Sequence, residues 1–209
     1  MKIVEQSAAI VSFPDNVLSV LEVCGRTAYQ SQPKGDDEAF IKPIVSKGHL
    51  SVIEHASMTV RFVTDRGVSH ELVRHRLASF TQESTRYCNY ADDKFGNELT
   101  FIHPVWIDPD LDMRAVPTTY MWWQSMCEAE NFYFDLLRLG WTPQQARAVL
   151  PNSLKTEIVM TANLREWRHV FQLRAIEKAA HPQMRALMIP LYEKCRELCP
   201  VIFDMGVPE

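Results

Sequence analysis

Two stretches of the chain alternate between apolar and polar residues: residues 56–62 without exception, and residues 154–162 apart from Thr156 and Val159. Such alternation places every second side chain on the same face of a strand, so it predicts two half-buried strands. A shorter strand is predicted over residues 2–12, and another near Phe101. The side chains expected to be buried in the two long strands all stand at even-numbered positions: Ala56, Met58, Val60, Phe62, Leu154, Thr156, Ile158, Met160 and Ala162.

Helical spacing and capping residues predict the other elements. Asp15 or Asn16 is expected to cap a helix that runs to about Tyr29, and Thr142-Pro143 begins another, because proline is favoured at a first helical position. Further helices are predicted after the loop of residues 32–37 and over residues 68–76, 116–139, 164–174 and 183–198. The longest is predicted to bury one stripe of side chains: Tyr120, Trp123, Cys127, Phe134 and Leu137. Few strands, several helices and no strand–helix–strand rhythm indicate an α+β fold rather than a doubly wound one.

The composition is that of an ordinary globular protein. Of the 209 residues, 46% are hydrophobic and 23% are charged, which excludes a disordered chain, and this length suits a single domain over residues 1–209. No run of about 18 apolar residues occurs, so no membrane span is expected. The net charge of −4 argues against a general nucleic-acid coat protein. Five scattered cysteines without a CxxC pair, and Glu5 and Gln6 where a signal peptide needs apolar residues, indicate a cytoplasmic protein with reduced thiols.

The densest polar segment is residues 74–86, where three arginines, one histidine and four hydroxyl side chains surround a single acid, Glu83. Such donors suit a phosphate cradle, but they are also typical of a solvated basic helix end, and composition alone leaves both interpretations open. Arg147 lies in an apolar segment, where it is either packed along its aliphatic stem or directed at an anion. A second cluster, residues 163–174, contains a helix-capping residue and several cations: Asn163, Arg165, Arg168, His169 and Arg174.

Familiar metal and nucleotide motifs do not occur in the sequence. Residues 49–55 begin and end with histidine, but their H-x4-E-H spacing is not that of a zinc site. Cys195 and Cys199 stand four residues apart on a predicted helix without a matching pair, and are interpreted as core thiols. No GxGxxG or GxxxxGK[ST] segment occurs, so any dinucleotide needs a non-Rossmann scaffold. No metal is expected.

The segment Arg74-His75-Arg76, followed after seven residues by Ser84, resembles the RHR-x7-S signature of flavin-dependent thymidylate synthases. The wider string RHRLASFTQESTRY, residues 74–87, is similar to that family throughout. The resemblance extends over about residues 45–200. Four further segments resemble family motifs in the expected order: HLSVIEH at 49–55, ARAVLP at 146–151, NLR at 163–165 with LR at 173–174, and HPQ at 181–183.

Four positions depart from the family pattern. Thr81 and Gln82 stand where many members carry Asn and Glu, Glu71 stands where some carry Gln, and Met184 stands where a Trp is common. The departures affect single contacts, above all that of Gln82, and leave the signature arginines and serine in place.

The resemblance implies an α+β fold with a mixed or antiparallel sheet flanked by helices, and a homotetramer that holds FAD and dUMP at subunit interfaces. It implies conversion of dUMP to dTMP, with 5,10-methylenetetrahydrofolate as the one-carbon donor and NADPH as the reductant. The residues implied to bind FAD are Ser51, Arg74, His75, Arg76, Gln82, Asn163, Leu164, Arg165 and His169. The residues implied to bind dUMP are Glu71, Leu72, Val73, Arg74, Gln82, Glu83, Ser84, Thr85, Arg86, Arg147 and Arg174.

Arg174 is the catalytic residue that the resemblance implies. A guanidinium against the uracil ring stabilises negative charge developing at N3 and O2, and so raises the nucleophilicity of C5. Ser84 is the alternative, as a nucleophile. Because no candidate base adjoins it in sequence, a substrate-positioning hydroxyl is preferred. Two other functions remain as alternatives: a nucleic-acid-binding module, and a family member that binds FAD without turning over dUMP.

Overall fold

The computed structural model describes residues 1–206 and, for Tyr29, only the backbone. Six strands are present in the described chain: β1 (Lys2–Val4), β2 (Ser7–Ser12), β3 (Ser57–Asp65), β4 (Ala78–Gln82), β5 (Thr100–Ile102) and β6 (Lys155–Asn163). The α-helices are α1 (Val17–Tyr29), α2 (Asp37–Ser46), α3 (Arg66–Leu72), α4 (Pro117–Arg138), α5 (Pro143–Ala146), α6 (Leu164–Phe171), α7 (Pro182–Leu198) and α8 (Pro200–Phe203). Short 3₁₀ helices cover Leu50–His55, Asp93–Phe95 and Arg147–Val149, and a π-helix covers Gln172–Ile176.

The main sheet has four strands in the order β2-β3-β6-β4. Its two long strands run antiparallel: the Leu164 N–H donates to the Ala56 carbonyl at 2.9 Å, and the Arg66 N–H donates to the Leu154 carbonyl at 3.1 Å. Every even-numbered position predicted to be buried in these strands is buried. The prediction of an α+β fold with an antiparallel sheet flanked by helices is therefore confirmed.

The single strand predicted over residues 2–12 is wrong, because the structure has two strands there. β1 pairs in parallel with β5 in a separate two-stranded sheet, whereas β2 joins the main sheet. The break falls at Glu5 and Gln6, whose polar side chains interrupt the apolar pattern. The Gln6 amide oxygen accepts a hydrogen bond from the Thr64 hydroxyl at 3.3 Å.

The chain divides into two compact units. The first unit comprises Met1–Ser7, Val63–Leu72 and Thr81–Ile158, and the second comprises Ala8–Phe62, Val73–Phe80 and Val159 onward. A single domain over residues 1–209 stays a prediction, and its last three residues lie outside the described chain.

The core of the first unit forms around Phe101, Tyr90 and Tyr133. Helix α4 contributes to this core, as predicted, and Phe134 and Leu137 of the predicted stripe pack against it while partly buried. The buried side chains of α4 are Thr119, Met126 and Tyr133, whereas Tyr120 of the stripe is exposed. Apolar residues occur around the whole circumference of α4, so their spacing identified the buried face only in part.

The core of the second unit is built around Trp167. Its indole N–H donates to the Met58 carbonyl at 2.9 Å, and its ring packs against Phe171 at 5.6 Å between centroids. Cys195 and Cys199 are buried in this unit, which confirms their interpretation as core thiols.

Two helix ends position the signature arginines and the polar cluster of residues 163–174. Helix α3 ends at Leu72, not at Arg76 as predicted, so His70 is the basic residue of its last turn. The signature arginines therefore follow the helix instead of forming its end. The predicted cap of α6 is confirmed, because the Asn163 side chain accepts from the Glu166 N–H at 2.8 Å. Among residues 1–206, no helix is long and apolar enough to cross a membrane.

Candidate functional site

A cavity of about 720 Å³ opens in the second unit. Three residues of the predicted cofactor set line it: Asn163 at the cap of α6, and Arg165 and His169 on the helix. The remaining lining residues are Leu50, Glu54, Leu77, Glu166, Arg168, Gln172 and Met205. The cavity therefore combines hydrogen-bonding and cationic side chains from one short helix with a few apolar contacts.

The central histidine of the signature, His75, is buried next to this helix. Its Nε2 accepts a hydrogen bond from Arg174 Nε at 3.2 Å, and its Nδ1 lies 3.4 Å from Glu166 Oε1. Its ring meets that of His169 edge-on, with 5.9 Å between centroids. Burial first, and then the positive charges of Arg174 and His169, lower the pKa of His75 to about 4. His75 is therefore neutral at pH 7.

The arginines on either side of His75 differ from it in burial and in protein contacts. Arg74 and Arg76 are both exposed, and within residues 1–206 neither guanidinium has a hydrogen-bond or ion-pair partner. Two fixed positive charges are thus presented to solvent by a backbone that the buried imidazole anchors. Such charges are available to an anionic ligand without first breaking a protein contact.

The other predicted cofactor residues of the second unit have varied surroundings. Ser51 is exposed on the 3₁₀ helix Leu50–His55. Leu164 is fully buried and its backbone N–H donates to the Ala56 carbonyl, so neither its side chain nor its N–H is open to a ligand. Arg165 pairs with Glu54 at 2.6 Å between Nη1 and Oε1, and both side chains are largely exposed.

Arg168, which the sequence grouped with these cations, is engaged elsewhere. Its Nη1 donates to the Ile202 carbonyl, which ties α6 to α8. Burial lowers the pKa of its guanidinium. Arg168 therefore lines the cavity while it holds the scaffold together.

A smaller pocket of about 250 Å³ lies in the first unit. Arg147 and Thr85, both predicted to bind substrate, line it, and Arg147 Nη1 donates to the Thr85 hydroxyl at 3.3 Å. Arg66 and His70 line it too, and the sequence reasoning missed them. Their i,i+4 spacing on α3 places them on the same helix face, which is the signal that pointed to them.

Gln82 and Glu83 are held by protein contacts in the first unit. The Gln82 amide donates to the Ser69 hydroxyl at 2.9 Å and to the Thr156 hydroxyl at 3.2 Å. The Glu83 carboxylate accepts from the Tyr90 hydroxyl at 2.8 Å and from Lys155 Nζ at 3.1 Å. Both carboxylate oxygens of Glu83 therefore already have protein donors.

Ser84 and Arg86 follow directly. The Ser84 hydroxyl accepts from the Arg86 N–H at 3.3 Å, and no side chain within the described range acts as a base towards it. The Arg86 guanidinium is exposed and lies 5.4 Å from the centre of the Tyr87 ring. The Ser84 hydroxyl is therefore placed to orient a ligand, and the exposed guanidinium of Arg86 can reach the same ligand.

The remaining predicted substrate residues precede the signature. Glu71 is half-buried, Leu72 is fully buried, and Val73 is exposed. Across residues 1–206, no group of three or more His, Cys, Asp or Glu side chains is placed to hold a metal ion.

A family model and curated relatives identify one family, and a solved structure shows the same fold. Residues 9–201 match the family model described as "Thymidylate synthase complementing protein". The flavin-dependent thymidylate synthase of Mycobacterium tuberculosis (strain ATCC 25618 / H37Rv) is 33% identical, over 88% of this chain and 78% of its own. That of Corynebacterium aurimucosum is also 33% identical, over 89% and 78%. A crystal structure of the UMP/dUMP methylase PolB from Streptomyces cacaoi, bound with 5-Br dUMP, superposes with a TM-score of 0.78, at 22% identity over 98% of this chain and 96% of that one.

Proposed function

The chain belongs to the flavin-dependent thymidylate synthase family, and from this membership we propose that it methylates dUMP to dTMP for thymidylate synthesis. We propose FAD as its flavin, 5,10-methylenetetrahydrofolate as its one-carbon donor and NADPH as its reductant. The observation that carries the proposal is that the residues of the Arg74-His75-Arg76 signature differ in burial and in contacts. His75 is buried and holds Arg174, while Arg74 and Arg76 are exposed without protein partners in the described chain.

The second unit carries every residue proposed to hold FAD except Gln82, which belongs to the first unit. Exposed arginines match the pyrophosphate of a dinucleotide, because their planar donors engage it bidentately. Asn163 and His169, which line the cavity of this unit, add hydrogen-bonding groups. When bound, the flavin supplies the hydride chemistry, and the protein contributes position and electrostatics. The proposed FAD set keeps Ser51, Arg74, His75, Arg76, Gln82, Asn163, Leu164, Arg165 and His169.

The residues proposed for dUMP are those from Glu71 to Arg74 and from Gln82 to Arg86, together with Arg147 and Arg174. Arg147 and Thr85 line one pocket, which suits a phosphate that needs a cation and a hydroxyl donor. Tyr90 and Lys155 occupy the carboxylate of Glu83, and its backbone N–H donates to the Glu157 carbonyl at 2.8 Å, so the support for Glu83 in this set is family resemblance. An unpaired carboxylate next to the phosphate would repel it.

We assign the activation of uracil to Arg174. Its guanidinium stabilises the negative charge that grows at N3 and O2 while C5 acts as the nucleophile. Ser84 positions the nucleotide, because a serine hydroxyl needs an adjacent base to attack and its hydroxyl contacts a backbone N–H instead.

We further propose a homotetramer in the cytoplasm, with no nucleic-acid or membrane partner. The support for the tetramer is family resemblance. The support for the compartment is that the five cysteines are all free thiols in the structure.

Rescue of a thymidine-requiring cell tests the proposed function. The gene should restore growth without thymidine, and the purified protein should carry flavin absorbance and form dTMP from dUMP in the presence of methylenetetrahydrofolate and NADPH. A protein that carries flavin but does not rescue or form dTMP would be a member that has lost turnover. A protein without flavin that binds nucleic acid would contradict the proposal altogether.

A further inference from the structure

Glu166 is a buried carboxylate that neither the signature nor the proposed ligand sets include. It lies in the first turn of α6 and is only 7% exposed. Its backbone N–H is bound by the Asn163 cap, and its Oε1 lies 3.4 Å from Nδ1 of His75. Burying a carboxylate costs free energy unless a donor faces it, and Nδ1 of His75 is placed to be that donor.

The contacts of His75 fix where its proton lies. Arginine has five donors and no acceptor, so Nε2 of His75, which meets Arg174 Nε at 3.2 Å, must be the acceptor. A neutral imidazole with an accepting Nε2 carries its proton on Nδ1. Nδ1 is the ring nitrogen nearest Glu166, so this proton faces the Glu166 carboxylate. The three side chains therefore form a directional series, from Glu166 through the Nδ1–H of His75 to its Nε2 and on to Arg174.

We propose that Glu166 is a positioning residue, which stabilises the Nδ1–H tautomer of His75 so that Nε2 accepts from Arg174 and fixes the plane of its guanidinium. Because Nε and both Nη atoms are coplanar, anchoring Nε orients the donors that face a ligand. The inference rests on the proposed function, since it assigns Arg174 to the uracil ring.

The surroundings of His75 support this series. The charged and titratable groups that face it are Glu166 and His169 on α6 and Arg174 on the π-helix. Burial, and then Arg174 and His169, lower the pKa of His75 to about 4, so its imidazole is neutral at pH 7, the state in which Nε2 accepts. A π-helix at residues 172–176 is a rare element that often marks a functional site, and here it carries Arg174.

The experiment compares Glu166→Leu and Glu166→Gln in the flavin-loaded enzyme. Glutamine keeps an oxygen that accepts from Nδ1–H, whereas leucine keeps only the size. Glu193→Gln is the matched control, since it removes a carboxylate paired to Arg196 on α7, outside the proposed site. The measurements are kcat and KM for dUMP, flavin per subunit, and the tautomer of His75 from ¹⁵N NMR, assigned by loss of its signals in His75→Gln.

We expect Glu166→Leu to lower kcat by about 10–100-fold, by analogy with the range seen when a carboxylate that orients a metal-bound histidine is removed. The KM for dUMP and the flavin content should change much less, and a population of Nε2–H tautomer should appear. Glu166→Gln should retain the Nδ1–H tautomer and most of the turnover, and the control should match wild type.

A Glu166→Leu enzyme with wild-type kcat and an unchanged tautomer would overturn the proposal. Equal damage from Gln and Leu would also overturn it, because the carboxylate charge rather than an acceptor would then matter. If the wild type makes no dTMP, the proposed function fails. The NMR comparison still decides whether Glu166 sets the tautomer of His75.

Discussion

The buried imidazole of His75 predicts that the folded protein loses stability as the pH falls from about 6.5 to about 4. The pKa of His75 is lowered from its ordinary 6.5 to about 4 by burial and by the charges of Arg174 and His169. Below pH 6.5 the unfolded chain takes up a proton that the folded protein excludes, so acid favours unfolding. A pKa difference of about 2.5, at about 1.4 kcal/mol per unit, corresponds to about 3 kcal/mol lost by pH 4.

Other groups titrate in the same range. The loss of stability caused by His75 is therefore measured as the difference between wild type and His75→Gln. Burial raises the pKa of Glu166, which acts in the opposite direction because its folded-state carboxylate binds a proton more readily. Urea unfolding of the flavin-free protein, followed from about pH 7 to about pH 4, should show wild type losing about 3 kcal/mol more than His75→Gln. His55→Gln, which alters an exposed histidine, should follow wild type. Parallel curves for wild type and His75→Gln would refute the assignment of a neutral, buried His75.

The remaining predictions concern single side chains of the proposed site. Arg174→Lys should lower dTMP formation by about 10²–10³-fold, the scale of one lost preorganised donor. Ser84→Ala should weaken dUMP binding and keep measurable turnover. The reverse pattern would mean that Ser84 activates the uracil and that Arg174 positions the nucleotide. Arg86→Ala should weaken dUMP binding by about 2–3 kcal/mol in a titration, without loss of flavin, and an unaltered affinity would exclude a phosphate contact. Arg138→Ala, an exposed arginine outside the site, should bind dUMP normally. Asn163→Ala should lower the free energy of unfolding by about 1 kcal/mol, because the α6 cap is lost; unchanged urea unfolding would contradict this.

The positions that depart from the family pattern have different surroundings in the structure. Gln82 donates from its amide to two hydroxyls, those of Ser69 and Thr156. With glutamate there, the hydroxyls would have to donate instead, and the Ser69 hydroxyl would then lose its hydrogen bond to the Arg66 carbonyl at 3.0 Å. Met184 is fully buried on α7, so its exchange for Trp changes core packing rather than a ligand contact. Thr81 is exposed on β4.

The sequence by itself determined the elements whose pattern is local. The alternation along β3 and β6 identified every buried side chain in them except Thr64, because successive strand residues face opposite sides whatever packs there. Asn163 was found as a cap, and Thr142-Pro143 as a helix start, because capping depends on residues within one turn. The resemblance of residues 74–87 identified the family for a related reason, since it lies in one continuous segment.

The tertiary structure decided what depends on residues far apart in the chain. His75 and Arg74 are neighbours in sequence, yet one is buried and neutral and the other is exposed. Only the packing of α6 and the π-helix against residue 75 separates them. The bond between His75 and Arg174 spans 99 residues, and no local pattern encodes a contact at that distance. Burial and pKa are properties of the assembled environment, so the roles inferred for His75 and Glu166 could be read only after the chain had folded.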